Sequence, residues 1–207
     1  MKKVIVFFAL FLSYFLVNVK ATFDVQAASA ILMEKDTKRV LYEKNIHERY
    51  LTASIAKIMT AIVAIENGNL DKYCVVDEVT TRQIGSSIYL KLNDEIKLID
   101  LIYGLMLRSG NDAAYLIANN VGKDYEDFIY LMNETAKKIG MKNSSFSNPS
   151  GLDEESANYS TAYDMALLMA YALDNEIFRK ITGSKTYACK TKNGESLYFV
   201  NKHRLIQ

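Results

Sequence analysis

The spacing of apolar positions divides the chain into a leading apolar run and a series of short alternating segments. Residues 4–19 are almost wholly apolar, broken mainly by Ser13 and Asn18. Residues 28–33 then read as a strand, Glu34-Lys35-Asp36-Thr37 as a polar turn and residues 38–42 as the returning strand, which predicts a β-hairpin. After a connector over residues 45–53, Ile55, Ile58, Met59, Ile62, Val63 and Ile65 recur at helical spacing. They predict a helix over residues 54–66 that stops at Asn67-Gly68. Residues 71–79 carry strand-forming side chains, and residues 80–97 alternate irregularly through Gly85-Ser86-Ser87. An apolar helix is predicted over residues 98–107, with Asp100 in its first turn. It breaks at Arg108-Ser109-Gly110-Asn111-Asp112 and resumes over residues 113–121.

The second half is more regular. Residues 124–139 are amphipathic, with Phe128, Leu131, Met132, Thr135, Ala136 and Ile139 on one face and Gly140 at the end. A turn-rich loop over residues 143–153 surrounds Asn148-Pro149-Ser150-Gly151. Thr161 with Asp164 matches a capping box, and Met165, Leu168, Met169 and Ala172 form the buried stripe of the helix it opens. Residues 185–190 and 197–201 read as two strands joined by the turn signal Lys192-Asn193-Gly194.

Composition narrows the class. With 207 residues, half of them hydrophobic, the chain can bury one core, either a single domain or a domain with a lobe. The net charge of +1 is well mixed, and no basic run with interleaved aromatics points to nucleic acid. Lys2-Lys3 ahead of the apolar run, with Val19-Lys20-Ala21 after it, reads as an export signal over residues 1–21 followed by one folded domain over residues 22–207; Val25-Gln26-Ala27 is a second cleavage candidate. Cleavage after Ala21 removes three lysines and no acid, changing the net charge from +1 to −2. A retained membrane anchor is the alternative, although the run is shorter than the about 20 residues usual for a spanning helix. Either way the folded part is expected outside the cytoplasm. Cys74 and Cys189 could pair there or remain two buried thiols.

Candidate chemistry centres on Ser54-Ile55-Ala56-Lys57. Residues three apart share a helix face, so Lys57 could serve as base for a Ser54 nucleophile. The first turn of a helix offers free amides and the positive end of its dipole to developing negative charge. A serine hydroxyl needs a neighbouring base to attack well, and lysine is such a base only where burial or another cation lowers its pKa. The same four residues also describe a capping serine and a solvated lysine. Ser109 and Asn111, in a polar loop between two apolar helices, are a second candidate cluster; the bland alternative is a helix–helix turn. His47 and His203 are too few and too scattered for a His-rich metal site, and no cofactor is implied.

Four stretches together resemble the penicillin-recognising serine D-Ala-D-Ala carboxypeptidases, the low-molecular-weight penicillin-binding proteins. Residues 52–61 around Ser54 and Lys57 look like the family's Ser-x-x-Lys helix. Gly85-Ser86-Ser87 through Leu105-Met106-Leu107-Arg108-Ser109-Gly110-Asn111-Asp112-Ala113-Ala114 looks like its approach to a Ser-x-Asn motif. Gly140-Met141-Lys142-Asn143-Ser144 through Asn148-Pro149-Ser150-Gly151-Leu152 resembles its following loop, and Tyr159-Ser160-Thr161-Ala162 with Asp164-Met165-Ala166 the helix after that. Order and spacing agree from about residue 28 onward. The resemblance implies an α+β fold of the DD-peptidase/β-lactamase type: an antiparallel sheet flanked by helices, with a helical lobe carrying Ser-x-Asn.

It also implies a role for each site residue. Ser54 would attack the carbonyl between two terminal D-alanines of a peptidoglycan stem peptide, Lys57 would take its proton, and Ser109 would relay a proton to the leaving nitrogen. Asn111 would orient substrate or lysine, and the Ser54 amide would give half of an oxyanion hole. β-Lactams would acylate Ser54 as mimics of the peptide, with the protein peripheral to membrane and cell wall. The family's Lys-Thr-Gly motif is missing: Lys185-Thr186 is followed by Tyr187, and Lys190-Thr191 by Lys192. The chain therefore reads as truncated before a strand that supplies the second oxyanion donor and a cation for the substrate carboxylate, and before the last helix. Two rivals follow. One is a class A-like β-lactamase, which needs a glutamate base such as Glu154 or Glu155. The other is an inactive cell-wall-binding fragment.

Overall fold

The computed structural model describes residues 25–152 and 156–206. The expected export signal and its boundary at residue 22 lie outside the described residues, as do Glu154 and Glu155.

The predicted first hairpin forms, shifted toward the C-terminus: β1 (Ala30–Met33) pairs antiparallel with β2 (Val40–Lys44), with a one-residue irregularity between Leu32 and Met33. β3 (Tyr50–Leu51) leads into a 3-10 turn, Ala53–Ala56, and helix α1 (Lys57–Asn67). The expected single helix over residues 54–66 thus starts as a tighter turn, and Ile55, assigned above to the apolar stripe, is half exposed at 51%. From Met59 to Ala64 every residue of α1 is fully buried. A helix apolar all round must lie inside the molecule, so α1 is the central post. It packs against five helices that come later in the chain.

The strand expected over residues 71–79 is split. β4 (Tyr73–Val75) is followed by a single helical turn, α2 (Glu78–Thr81), because the Asp77 side chain accepts the Thr80 N–H and caps it. β5 (Glu95–Lys97) pairs antiparallel with β4 and runs directly into α3 (Leu98–Arg108). Helix α4 (Asn111–Asn120) follows after two residues, and α5 (Tyr125–Ile139) is capped by Asp124 at one end and by left-handed Gly140 at the other.

β6 (Tyr159–Ser160) pairs with β3, which brings the start of α6 (Ala162–Ala172) beside the segment that precedes Ser54. Thr161 caps α6 by accepting the Asp164 N–H. The reciprocal half of the expected capping box is not made: the Asp164 carboxylate accepts instead from the Asn143 N–H and the Ser144 hydroxyl, both at 2.7 Å. That ties the turn after α5 to α6.

A short α7 (Glu176–Thr182) precedes the last hairpin, β7 (Thr186–Lys190) with β8 (Ser196–Val200). The hairpin is fastened to α3. Tyr187 stacks on Tyr103 with ring centroids 3.5 Å apart, and its hydroxyl donates to Asp100 Oδ1 at 2.5 Å. Burial raises the Asp100 pKa, partly countered by that bond. The Lys-Thr pairs at 185–186 and 190–191 therefore belong to this hairpin.

Strands among the described residues form four two-stranded antiparallel ladders, and helices dominate. Both cysteines are free thiols, Cys74 buried in β4 and Cys189 half-buried in β7, and burial pushes their pKa values up to about 11 and about 12.

Candidate active site

Ser54 lies exposed in the 3-10 turn at the head of α1, and Lys57, only 3% exposed, lies directly beneath it. The ammonium nitrogen of Lys57 is 3.3 Å from Ser54 Oγ, 2.8 Å from Asn111 Oδ1 and 2.5 Å from the Ser150 carbonyl oxygen. Three elements distant in sequence therefore converge on one amine. Asn111 cannot turn its amide round, because its Nδ2 donates to the Ile84 carbonyl at 2.7 Å.

Both Asn111 Oδ1 and the Ser150 carbonyl only accept. A neutral amine has two N–H groups and one lone pair. With both N–H groups spent on those acceptors, the lone pair is left facing Ser54 Oγ, as proton abstraction from the hydroxyl requires. The electrostatics agree. Burial above all, and then the Lys202 cation, lower the Lys57 pKa from 10.5 to about 8 against the opposing charge of Asp112.

Asp112 serves mainly as a clamp. Its carboxylate accepts from the Ser87 hydroxyl at 2.6 Å and from the backbone N–H groups of Ile88 and Leu90. This fixes the 84–90 segment over the start of α4, and the Asn111 N–H adds a bond to the Ser86 carbonyl at 2.6 Å. Replacing Asp112 by asparagine should cost about 1.5–3 kcal/mol of stability, because an amide cannot receive all of these donors. Acylation should reach its plateau at lower pH, since the negative charge that supports protonated Lys57 is gone. Thermal unfolding and an acylation pH profile check both effects.

The Ser150 carbonyl is held by an asparagine pair that sequence reasoning did not single out. Asn148 Oδ1 accepts from the N–H groups of Ser150 and Gly151, and its Nδ2 donates to the carbonyls of Leu152 and Ser156. Asn158, fully buried, accepts from the N–H groups of Ser147 and Asn148, while its own carbonyl accepts the Thr52 N–H. Thr60 in α1 donates to the Pro149 carbonyl at 2.6 Å. The loop is thus bonded to the residue two before Ser54 and to the helix that carries Lys57. Gly151 makes the close approach possible: a Cβ there would lie 1.7 Å from the Ala53 carbonyl oxygen. Ala53 itself adopts a left-handed φ of 44°, an unfavourable conformation for a residue with a Cβ, held by these surroundings.

Of the four residues predicted from sequence, Ser54, Lys57 and Asn111 are hydrogen-bonded together. Ser109 belongs to the same turn, two residues before Asn111, and ends α3 in a left-handed conformation with φ 63°. Its hydroxyl has no hydrogen-bond partner among the described residues. The sequence signals for the residues missed were the Asn-Pro-Ser-Gly turn at residues 148–151 and the acid immediately after Asn111. His47 packs against the Tyr163 ring, 5.2 Å between centroids.

The profile of the peptidase S11 family, D-alanyl-D-alanine carboxypeptidase, matches residues 16–207. The chain is 38% identical over 187 residues to the D-alanyl-D-alanine carboxypeptidase DacF of Bacillus subtilis, covering 88% of this chain and 48% of that protein. It is 39% identical over 156 residues to DacC of Escherichia coli, covering 70% of this chain and 39% of that protein. The chain therefore spans about half the length of the first of these relatives and less of the second. Among solved structures, the Streptomyces K15 DD-transpeptidase superposes with a TM-score of 0.83 at 31% identity, over 89% of this chain and 76% of that one. A D-alanyl-D-alanine carboxypeptidase from Mycobacterium tuberculosis gives 0.82 at 28% identity, over 89% and 69%. The fold is accordingly the α+β DD-peptidase fold expected above, and the chain belongs to the D-alanyl-D-alanine carboxypeptidase family of serine peptidases.

Proposed function

We propose that the protein removes the terminal D-alanine from peptidoglycan stem peptides ending in D-Ala-D-Ala, through an acyl-enzyme on Ser54. The observation that carries this reading is the buried Lys57 nitrogen, 3.3 Å from Ser54 Oγ and held by two fixed acceptors, so that in the neutral amine the lone pair faces the hydroxyl.

In the first step Ser54 Oγ attacks the carbonyl carbon between the two D-alanines while Lys57 takes the hydroxyl proton. The new oxyanion forms at the head of α1, where the Ser54 N–H serves as one donor; losing such a donor typically costs about 2.7–4 kcal/mol in the barrier. The C–N bond then breaks, and the departing amine receives a proton from Lys57 by way of Ser109, whose hydroxyl makes no hydrogen bond among the described residues. Water enters with Lys57 again as base, and hydrolysis of the ester frees the shortened peptide and restores Ser54. β-Lactams enter the same first step because their strained amide stands in for the peptide bond.

The reading places the protein outside the cytoplasm, at the cell wall or outer face of the membrane, consistent with the basic-then-apolar N-terminal sequence. Release of D-alanine from a stem-peptide analogue tests the activity. The protein should release it and the Ser54→Ala variant should not, a loss on the order of 10⁴-fold or more. Equal release by the two would rule out Ser54, and no release by either would favour a wall-binding role.

A further inference from the structure

We propose that the polar cavity walled by Ile84 and Ser150 seats the part of the substrate that stays on Ser54, and that Arg82 there selects for a side chain ending in a carboxylate. The inference rests on the peptidase reading above and adds to it a determinant of acyl-side specificity.

The cavity, about 330 Å³, lies between two segments that already hold the site together. Residues 82–84 line it from one segment, Ser150 and Ser156 from the other, and Tyr125 from the start of α5. Each wall is bonded to a site residue. The Ile84 carbonyl accepts from Asn111 Nδ2 at 2.7 Å, and the Ser150 carbonyl accepts from the Lys57 nitrogen. A group in the cavity is therefore within reach of a peptide held on Ser54.

The run of the 84–90 segment assigns the cavity to one side of the bond that is cut. Ile88 lies against Gly110, where an added Cβ would be 3.1 Å from Ile88 Cγ2. That end of the segment is beside Ser109, which faces the leaving nitrogen in the mechanism above. Ile84 is at the other end, so the cavity receives the acyl part of the substrate.

Its lining is mostly polar: the Gln83 amide, the hydroxyls of Tyr125, Ser150 and Ser156, and the Arg82 guanidinium. The Tyr125 ring leans on Tyr115, 5.6 Å between centroids, and its hydroxyl makes no hydrogen bond among the described residues. Burial pushes its pKa up to about 12, so it remains a donor at any working pH. Arg82 is the one charged side chain among the described residues that line the cavity. It is mounted at the end of α2, where its N–H donates to the Val79 carbonyl at 3.2 Å. Its guanidinium meets Glu78 at 2.8 Å, but both side chains are exposed, and such a pair is exchanged readily. An incoming carboxylate can take two parallel N–H bonds from Arg82. An apolar side chain would leave these donors without partners, and that difference is what a polar site discriminates by.

The test uses two penicillins that differ only in the acyl side chain, which stands where the residue before the D-Ala-D-Ala pair would be. One carries an adipoyl group, ending in a carboxylate, and the other a hexanoyl group. Second-order rate constants for acylation of Ser54 are measured for wild type, Arg82→Gln, Arg82→Lys, Arg82→Glu and Tyr125→Phe, with a melting curve for each. Wild type should prefer the adipoyl compound about fivefold or more. The preference should shrink to about one in Arg82→Gln, reverse in Arg82→Glu and largely survive in Arg82→Lys. Tyr125→Phe should lower it about twofold. Added salt should weaken the wild-type preference and leave the Arg82→Gln ratio unchanged. Equal rates with wild type, or a preference retained in Arg82→Gln, would overturn this inference alone. Failure of wild type to be acylated by either compound would overturn the peptidase reading and the inference with it.

Discussion

Replacing Lys57 by methionine should lower the rate of Ser54 acylation by about 10³-fold or more, the range expected for loss of a positioned general base. Methionine has nearly the same length and keeps the head of α1 packed, so the loss reports chemistry. Two effects on stability oppose each other. The variant no longer buries an amine that would rather be solvated, but it leaves Asn111 Oδ1 and the Ser150 carbonyl without their donor. The net change should fall within about 1 kcal/mol, and a melting curve checks it.

The pH dependence follows from the same residue. Lys57 has a pKa of about 8 in the folded protein against 10.5 ordinarily. The neutral amine is the base, so the wild-type acylation rate should rise with pH up to about 8 and level off above it, and Lys57→Met should lose that rise. For stability, the unfolded chain binds more proton than the folded one between about 8 and 10.5, so this group makes folding more favourable as pH rises through that window.

The second large effect is expected at Gly151. Its φ of +76° is a left-handed conformation, and a Cβ would sit 1.7 Å from the Ala53 carbonyl oxygen and 3.0 Å from the Ser54 nitrogen. Backbone is the obstacle, so no side chain can swing aside. In Gly151→Ala the loop at residues 148–151 must retreat from the turn that carries Ser54. The Ser150 carbonyl then leaves Lys57, and with it the acceptor that helps direct the lone pair. Displacements near 1 Å can cost about 10²-fold in rate, and Gly151→Ala should lose at least that much. Gly140→Ala is the control. Its φ of +89° is also left-handed, but open space surrounds the site of the added methyl. It should cost about 1–2 kcal/mol of backbone strain and leave the acylation rate intact. Equal acylation rates for the two variants would mean that the loop does not position Lys57.

The helices were legible from their apolar spacing, and Thr161 accepts the Asp164 N–H as the sequence suggests; Asp124, where the amphipathic stretch begins, proves to be a cap that accepts the Asp127 N–H. The 71–79 segment was misread because β-branched residues there suggested strand throughout, while Asp77 caps a helical turn at its end. Asp164 fitted a capping box locally but is drawn off by Asn143 and Ser144, a long-range competition that no window of sequence contains. Within the site, the Ser54–Lys57 pair could be proposed from spacing, and Asn111 from its motif. The Ser150 acceptor could not, since it is a backbone carbonyl whose place depends on Asn148, Asn158 and a glycine. The Lys202 cation likewise comes near Lys57 only when the last hairpin folds back onto α3.

The most direct measurement is mass spectrometry of the protein after incubation with benzylpenicillin, followed by peptide mapping. The account predicts one added penicilloyl group, carried by the peptide that contains Ser54 and absent from Ser54→Ala. An adduct on any other residue, or an unmodified Ser54 after prolonged incubation at pH 8, would contradict it.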